Sequence, residues 1–267
     1  MSKPKIITIT NEKGGVGKTT TTINMAAVLN HMGYKTLVLD VDRQANATDT
    51  YSAEMDNVAT AYDVLLQSDE NRIPLDEAIQ HTELGDIVAS DKLMEKSESV
   101  LSGNPNGLYH LVESIESSKS LDEYDYILID TPCVISMLLY NCLVASDEVI
   151  IPISPSRYSI SGLGDLSKAI AEVKKRQNRT LKVSGLLITM YEKTNMAKDG
   201  IEALSDIAEQ IGTKVFDTKI RATVKVEEAV ARREAVVNYK PSCTASMDYY
   251  DFVEEYLKEA WDGKKFT

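Results

Sequence analysis

Short apolar runs, many of them β-branched, alternate along the chain with longer stretches whose apolar positions recur every three or four residues. Ile6–Thr10, Thr36–Asp40, Asp86–Ala89, Tyr126–Asp130, Glu148–Ile153, Lys182–Ile188 and Lys214–Phe216 read as strands. Lys18–His31 reads as a helix that stops near Gly33. Leu37-Val38-Leu39 and Ile127-Leu128-Ile129 are apolar at every position, the pattern of strands buried on both faces. Strand and helix patterns in this alternation predict right-handed crossovers and an α/β fold, a doubly wound, mostly parallel sheet flanked by helices. Ligands in such sheets sit beyond the carboxyl ends of the strands. Between Ser52 and Ser120 the pattern is polar, acidic and weak, and helices are expected there. Met247–Ala260 predicts an acidic amphipathic helix with Phe252, Val253, Tyr256 and Leu257 on one side. No repeat, low-complexity tract or linker interrupts the chain. The expectation is one domain over residues 1–267 with a variable, mainly helical region at about 52–120.

Composition narrows the class. Hydrophobic residues make up 43% and charged residues 26%, as in globular proteins. The apolar runs are strand-length, so no membrane span is predicted. Met1–Lys5 leads straight into a strand, which predicts no signal peptide, and Cys133, Cys142 and Cys243 have no metal or disulfide spacing. Together these point to a reducing, cytoplasmic setting. A net charge of −12 argues against indiscriminate binding to nucleic acid, although a local basic patch is compatible with it.

The strongest chemical signal is Lys13-Gly14-Gly15-Val16-Gly17-Lys18-Thr19-Thr20, lying between a strand and a helix, the context of a phosphate-binding P-loop. Glycine backbones admit close approach of phosphate oxygens, and the loop amides with the helix N-terminus face the anion. Lys18 is placed to neutralise β- and γ-phosphate charge and the Thr19 hydroxyl to coordinate Mg²⁺. The ordinary loop has a glycine five positions before Gly17; this chain has Glu12 there, followed by a second lysine, Lys13.

Lys-Gly-Gly-Val-Gly-Lys-Thr-Thr resembles the deviant Walker A motif of the ParA/MinD ATPases. The resemblance implies that Lys13 reaches the partner subunit's nucleotide, so that ATP joins two subunits face to face. Leu37-Val38-Leu39-Asp40-Val41-Asp42 resembles the family's second-strand motif, which implies that Asp42 orients the attacking water and Asp40 supports the magnesium site. Tyr126-Ile127-Leu128-Ile129-Asp130 resembles its Walker B strand, with Asp130 holding Mg²⁺ through a water. The expected site is therefore Lys13, Gly14, Gly15, Val16, Gly17, Lys18, Thr19 and Thr20 around ATP, with Lys13, Lys18 and Asp42 catalytic. Thr19, Asp40, Asp42 and Asp130 serve Mg²⁺.

Within this resemblance the chain is similar to the ParA/Soj branch. The acidic residues Asp251, Glu254, Glu255 and Glu259 would be repelled by anionic lipid, which argues against a membrane anchor of the MinD kind. Cys133 and Cys142 do not match the iron-protein branch, and only about ten residues precede the loop, so no helix-turn-helix extension is expected. The implied function is a Mg²⁺-dependent ATPase that forms a homodimer on ATP, binds DNA nonspecifically at the nucleoid and partitions it with a ParB-type centromere-binding protein. Two basic clusters are available: Lys168, Lys174, Lys175, Arg176 and Arg179, and the preferred set Lys219, Arg221, Lys225, Arg232 and Arg233. The family often has Pro-Arg-Asn where this chain has Arg221-Ala222-Thr223. A nucleotide-switched scaffold that moves another cargo or regulates transcription uses the same motifs. A metabolic ATP-dependent synthetase is disfavoured, because no substrate constellation is visible.

Overall fold

The computed structural model describes residues 3–66, 71–156 and 163–262. Its eight strands are β1 (Lys5–Ile9), β2 (Thr36–Asp40), β3 (Ile79–Thr82), β4 (Gly85–Val88), β5 (Tyr126–Asp130), β6 (Glu148–Ile153), β7 (Lys182–Tyr191) and β8 (Val215–Arg221). They form one sheet in the order β3-β4-β2-β5-β1-β6-β7-β8. Every neighbouring pair is parallel except β3 with β4. The doubly wound sheet expected from the alternation is therefore present. β1 lies between β5 and β6; the chain passes from β1 to β2 on one side and from β6 to β7 on the other, so the crevice above the carboxyl ends of β1 and β6 is the switch point.

Strand alternation builds two layers from single strands. Ile7, Ile9, Val38, Leu128 and Ile150 point to one face. They pack there with helix α1 (Lys18–His31), with α2 (Asn46–Thr50) and with the last helix of the chain, Thr244–Asp262. Ile6, Leu37, Leu39, Ile127 and Ile129 point to the other face. They meet α3 (Ala61–Leu65), α4 (Leu75–Ala78), α5 (Ser97–Gly103), α6 (His110–Ser117) and α7 (Met137–Ala145). Further along that face, Val149, Ile151, Leu186 and Ile188 pack against α8 (Leu163–Arg176) and α9 (Asn195–Gln210). Two short helices, α10 (Val224–Ala231) and α11 (Val236–Tyr239), lead from β8 to the final helix, α12 (Thr244–Asp262).

Three details differ from the sequence pattern. The region at 52–120 contains β3 as well as helices, an antiparallel edge strand paired to β4 from Ile79↔Val88 to Thr82↔Gly85. β7 runs on to Tyr191, and β8 reaches Arg221 rather than Phe216. The β8 extension runs along the sheet edge and exposes Asp217 and Arg221, so alternation replaces continuous apolarity there.

Candidate functional site

The loop after β1 is held from three directions. Asn11 Nδ2 donates to the Pro152 carbonyl at the end of β6 (2.8 Å), and its Oδ1 accepts from the Lys13 amide (2.9 Å). Thr189 Oγ1 of β7 donates to the Val16 carbonyl (2.8 Å). Gly15 (φ 71°) and Gly17 (φ 83°) occupy the left-handed region, a conformation that non-glycine residues enter only with strain, and Gly17 starts α1 directly. Gly14 and Gly15 at the crown are exposed, whereas Lys18 is only 7% exposed and its Nζ turns back to the Lys13 carbonyl (3.4 Å). No Asp or Glu lies in the first turn of α1, so the helix N-terminus faces the loop with its positive end uncompensated. Thr19 and Thr20 follow in that turn, half-buried.

Beside the loop, adjacent parallel strands place Asp40 opposite Asp130 in register, both with no solvent exposure. Asp40 Oδ1 accepts from the Asp42 amide (3.0 Å), and its Oδ2 accepts from the Thr48 amide (2.9 Å) and hydroxyl (2.8 Å). Burial pushes the Asp40 carboxyl up to about 6, against the downward pull of those donors. Burial and then the Asp40 charge hold Asp130 well above the usual carboxylate range; the Thr19 hydroxyl and the Lys18 charge oppose them. Asp130 Oδ1 accepts a long bond from Thr22 (3.4 Å), while Oδ2 has no hydrogen-bond partner among the described residues. A buried carboxylate oxygen left without a donor, next to a threonine hydroxyl, is a hard-oxygen set that suits Mg²⁺. Asp42 sits half-buried on the loop beyond β2, its Oδ1 accepting from the Gln44 amide (3.0 Å), and Ala45 (φ 53°) turns that loop into α2.

The expected nucleotide and metal residues thus gather at the carboxyl ends of β1, β2 and β5. Asp40 acts on the loop as well: its three hydrogen bonds tie β2 to Asp42 and to α2. Next to the loop, a cavity of about 440 Å³ opens at Gly17 and Thr20 and continues past Met190, Arg221, Val224 and Tyr249. Met190 (φ 51°) is 49% exposed and Val224 64% exposed on its rim. Asn11, Thr48, Thr189 and Tyr249 were not singled out by the sequence pattern. Each is a polar or aromatic residue whose partner lies on another element.

The basic residues expected at DNA are spread along β8 and α10, and each has a partner within the chain. Arg221 pairs with Asp248 of α12 through its backbone amide (2.9 Å) and Nε (2.9 Å). Its Nη2 reaches the second oxygen (2.5 Å). Lys225 pairs with Glu228 (2.7 Å) and Arg233 with Asp49 (2.8 Å), while Arg232 stands over the Tyr239 ring and Lys219 Nζ donates to the Asp217 carbonyl. In the other basic cluster, Lys168 pairs with Asp165 and Arg176 with Glu172. Among the described residues no helix is long and apolar enough to cross a membrane, and no group of three His, Cys, Asp or Glu forms a metal cluster.

Comparison with known proteins agrees with this geometry. The family model described as AAA domain (AAA_31) matches residues 4–183. The sporulation initiation inhibitor protein Soj of Bacillus subtilis is 34% identical over 253 residues, 94% of this chain and 97% of that protein. The chromosome partitioning protein ParA of Caulobacter vibrioides is 30% identical over 261 residues, 97% of this chain and 96% of its own length. Among solved structures, the fold is shared with a cobyrinic acid a,c-diamide synthase from Mycobacterium smegmatis with bound ADP and magnesium. The TM-score is 0.81 at 24% identity, covering 97% of this chain and 96% of that one. With a family model over more than half of its length and relatives of this identity along nearly all of it, the chain belongs to this AAA-domain family, and within it to the ParA/MinD-type ATPases.

Proposed function

We propose that the chain is a Mg²⁺-dependent ATPase of the partition type, which dimerises on ATP, binds DNA nonspecifically in that state and moves it with a ParB-type partner. Turnover is slow alone and raised by that partner. The protein acts in the cytoplasm, at the nucleoid. The observation that carries this reading is the arrangement of two lysines on one phosphate loop. Lys18 is folded into its own loop and buried, matched to the phosphates bound there. Lys13 stands beside the exposed crown of Gly14 and Gly15, which in this reading is the face that meets a second subunit.

In this mechanism the loop amides and Lys18 would hold the triphosphate, and Thr19 and Asp130 would hold Mg²⁺, which when bound would supply neutralisation of phosphate charge. Asp42 orients the attacking water, and Asp40 fixes the Asp42 loop. Lys13 of each subunit adds a second cation to the other's phosphates, which helps most where negative charge redistributes in the transition state.

Lys13→Ala tests the reading. ATP affinity of the monomer should be retained, while ATP-dependent dimerisation by light scattering and ATP turnover should both be lost. Unchanged dimerisation and turnover would refute a role in trans.

A second reading, a nucleotide-switched scaffold without DNA, is favoured by the pairing of Arg221 with the buried Asp248, which takes one of the five basic residues out of a DNA surface. Salt-dependent binding of arbitrary duplex DNA with ATP present separates the two, because phosphate contacts of this kind weaken steeply with salt.

A further inference from the structure

The end of the sheet away from the phosphate loop carries a cavity that the ATPase reading leaves without a role. Its volume is about 570 Å³, and it opens at the amino ends of β1 and β6, between α6, the end of α7 and the α8–β7 connection. Val112, Ile115, Leu121 and Val144 form an apolar floor, and Tyr109, 41% exposed, lines the cavity with them. The walls are fastened. Asn178 Nδ2 donates to the Val144 carbonyl (3.0 Å) and the Ser146 carbonyl (2.6 Å), which ties the α8–β7 connection to the end of α7. Asp147 Oδ2 accepts from the Ile6 amide of β1 (2.8 Å). The polar groups left open are acceptors. Gln177 Oε1 is closed off and has no hydrogen-bond partner among the described residues, a state that folded proteins rarely leave a buried oxygen in. The exposed carboxylates of Glu116 and Asp122 also lack an ion pair or hydrogen bond among the described residues. Lys3, itself exposed, is the one cation among the residues lining the cavity.

We propose that this cavity binds an aliphatic polyamine, with its methylene chain on the apolar floor and its ammonium groups met by Glu116, Asp122, Asp147 and Gln177 Oε1. Each part of the ligand answers one feature of the site. Three carboxylates repel an anion and supply charge for more than one ammonium group. The orphaned amide oxygen calls for a donor, which a neutral hydrocarbon lacks. A metal ion would leave the floor uncovered, and among the described residues no group of three His, Cys, Asp or Glu is arranged to hold one. A chain of methylenes covers that floor and removes apolar surface from water on both sides. The volume falls within the range of small-molecule sites, and the Tyr109 ring offers a face to a cation. β1 runs from Ile6 at this cavity to Ile9 before the phosphate loop, so the two sites share a strand but no residue. The proposal therefore stands apart from what the loop binds.

Spermidine is the probe, measured by calorimetry on the full chain at about 0.15 M salt, where open charges more than roughly 8 Å apart are screened. One spermidine should bind per chain, and Mg²⁺, a cation with no carbon body, should not displace it at equal charge. The double variant Glu116→Gln, Asp122→Asn should bind spermidine roughly 2- to 30-fold more weakly, the scale of two open ion pairs. Both side chains are exposed, so the variant keeps its fold, and an unchanged urea midpoint confirms it. Glu202→Gln with Glu209→Gln removes the same charge from exposed positions on α9 and should leave spermidine affinity as it is. Val112→Phe fills the floor without altering charge and should also weaken binding. Absence of saturable binding overturns the proposal, as does displacement by Mg²⁺ at equal charge. An equal loss in the two double variants overturns it too, because spermidine would then be a counterion of the acidic surface. Wild-type affinity in Val112→Phe would remove the floor from the site and the proposal with it.

Discussion

Thr48 is the residue through which the nucleotide-facing loop is fastened, and replacing it with valine is a demanding test of that reading. Thr48 and Asp40 are fully buried. The Thr48 hydroxyl donates to Asp40 Oδ2 (2.8 Å) and accepts from the Ser90 amide just beyond β4 (2.8 Å). Valine has nearly the same volume, so no cavity opens, and only the hydroxyl's bonds are lost. A hydrogen bond to a charged group contributes about 1.5–3 kcal/mol, and a buried amide left without an acceptor costs about 1–3 kcal/mol more. The sum is about 2.5–6 kcal/mol, which corresponds to a melting temperature lower by roughly 5–24 °C in a domain of this size. Losing the hydroxyl also removes one of the groups holding the Asp40 carboxyl down, so its value should climb beyond about 6. Partial protonation at neutral pH would then loosen the grip on the Asp42 amide. The assay is urea unfolding together with ATP binding and turnover at neutral pH. Stability and turnover should both fall, with ATP affinity nearly unchanged, since the hydroxyl's hydrogen bonds run to Asp40 and Ser90 rather than to the phosphate loop. Thr50→Val is the control: its hydroxyl bonds only the Asn46 carbonyl of its own helix (2.9 Å), and its loss should be small. A Thr48→Val cost no larger than that of Thr50→Val would refute the argument.

Two further outcomes follow from packing and from linkage. A Cβ at Gly185 would lie 2.6 Å from Phe216 Cε2. That ring is already packed edge-on against Phe252 at 5.0 Å, so Gly185→Ala should cost about 1–3 kcal/mol by urea unfolding. Against the upward push of its partial burial, the hydroxyls of Ser118 and Ser120 and the amides of Lys119 and Ser120 hold the Asp76 carboxyl down to about 2. A depressed carboxylate contributes stability that is fully present above its unfolded value near 4 and is lost as pH falls toward 2. The urea midpoint of wild type should therefore drop through that window more steeply than that of Asp76→Asn. Parallel curves would count against it.

Legibility in the sequence followed the range of the interactions. The bounds of α1, β2, β5 and β6 are those that the pattern predicts, because Gly17 and Gly33 punctuate the helix and the strands are apolar on both faces. β3 was illegible: Ile79-Gln80-His81-Thr82 has one apolar residue and none buried, so its strand character comes from pairing with β4 rather than from a hydrophobic face. The phosphate loop was legible for a similar local reason, since its glycines, lysines and threonines are contiguous and their spacing is the chemistry. Asp40 and Asp130 were each legible at a strand end, but their apposition depends on β2 and β5 being neighbours in the sheet. Asn11 and Thr189 fix the loop through partners 141 and 173 residues away, and no local pattern marks such residues.

The basic residues show the opposite case, in which charge was legible and its meaning was not. In sequence, Lys219, Arg221, Lys225, Arg232 and Arg233 form one class. In the structure, burial of the partner divides them. Lys225 and Glu228 are both 39% exposed, and Arg233 and Asp49 both 58% exposed. Ion pairs so open to water contribute little to stability, so a DNA phosphate can take the place of either carboxylate at small cost. Their pairing is therefore no argument against a DNA surface along α10. Arg221 is 46% exposed, but its partner Asp248 is only 7% exposed at the side chain, and exchange there would leave that carboxylate desolvated and alone. The partner's solvation, more than the cation's own exposure, decides which of these residues is free to reach outward. On that criterion Arg221 is held to Asp248, whereas Lys225 and Arg233 can exchange their partners for a polyanion.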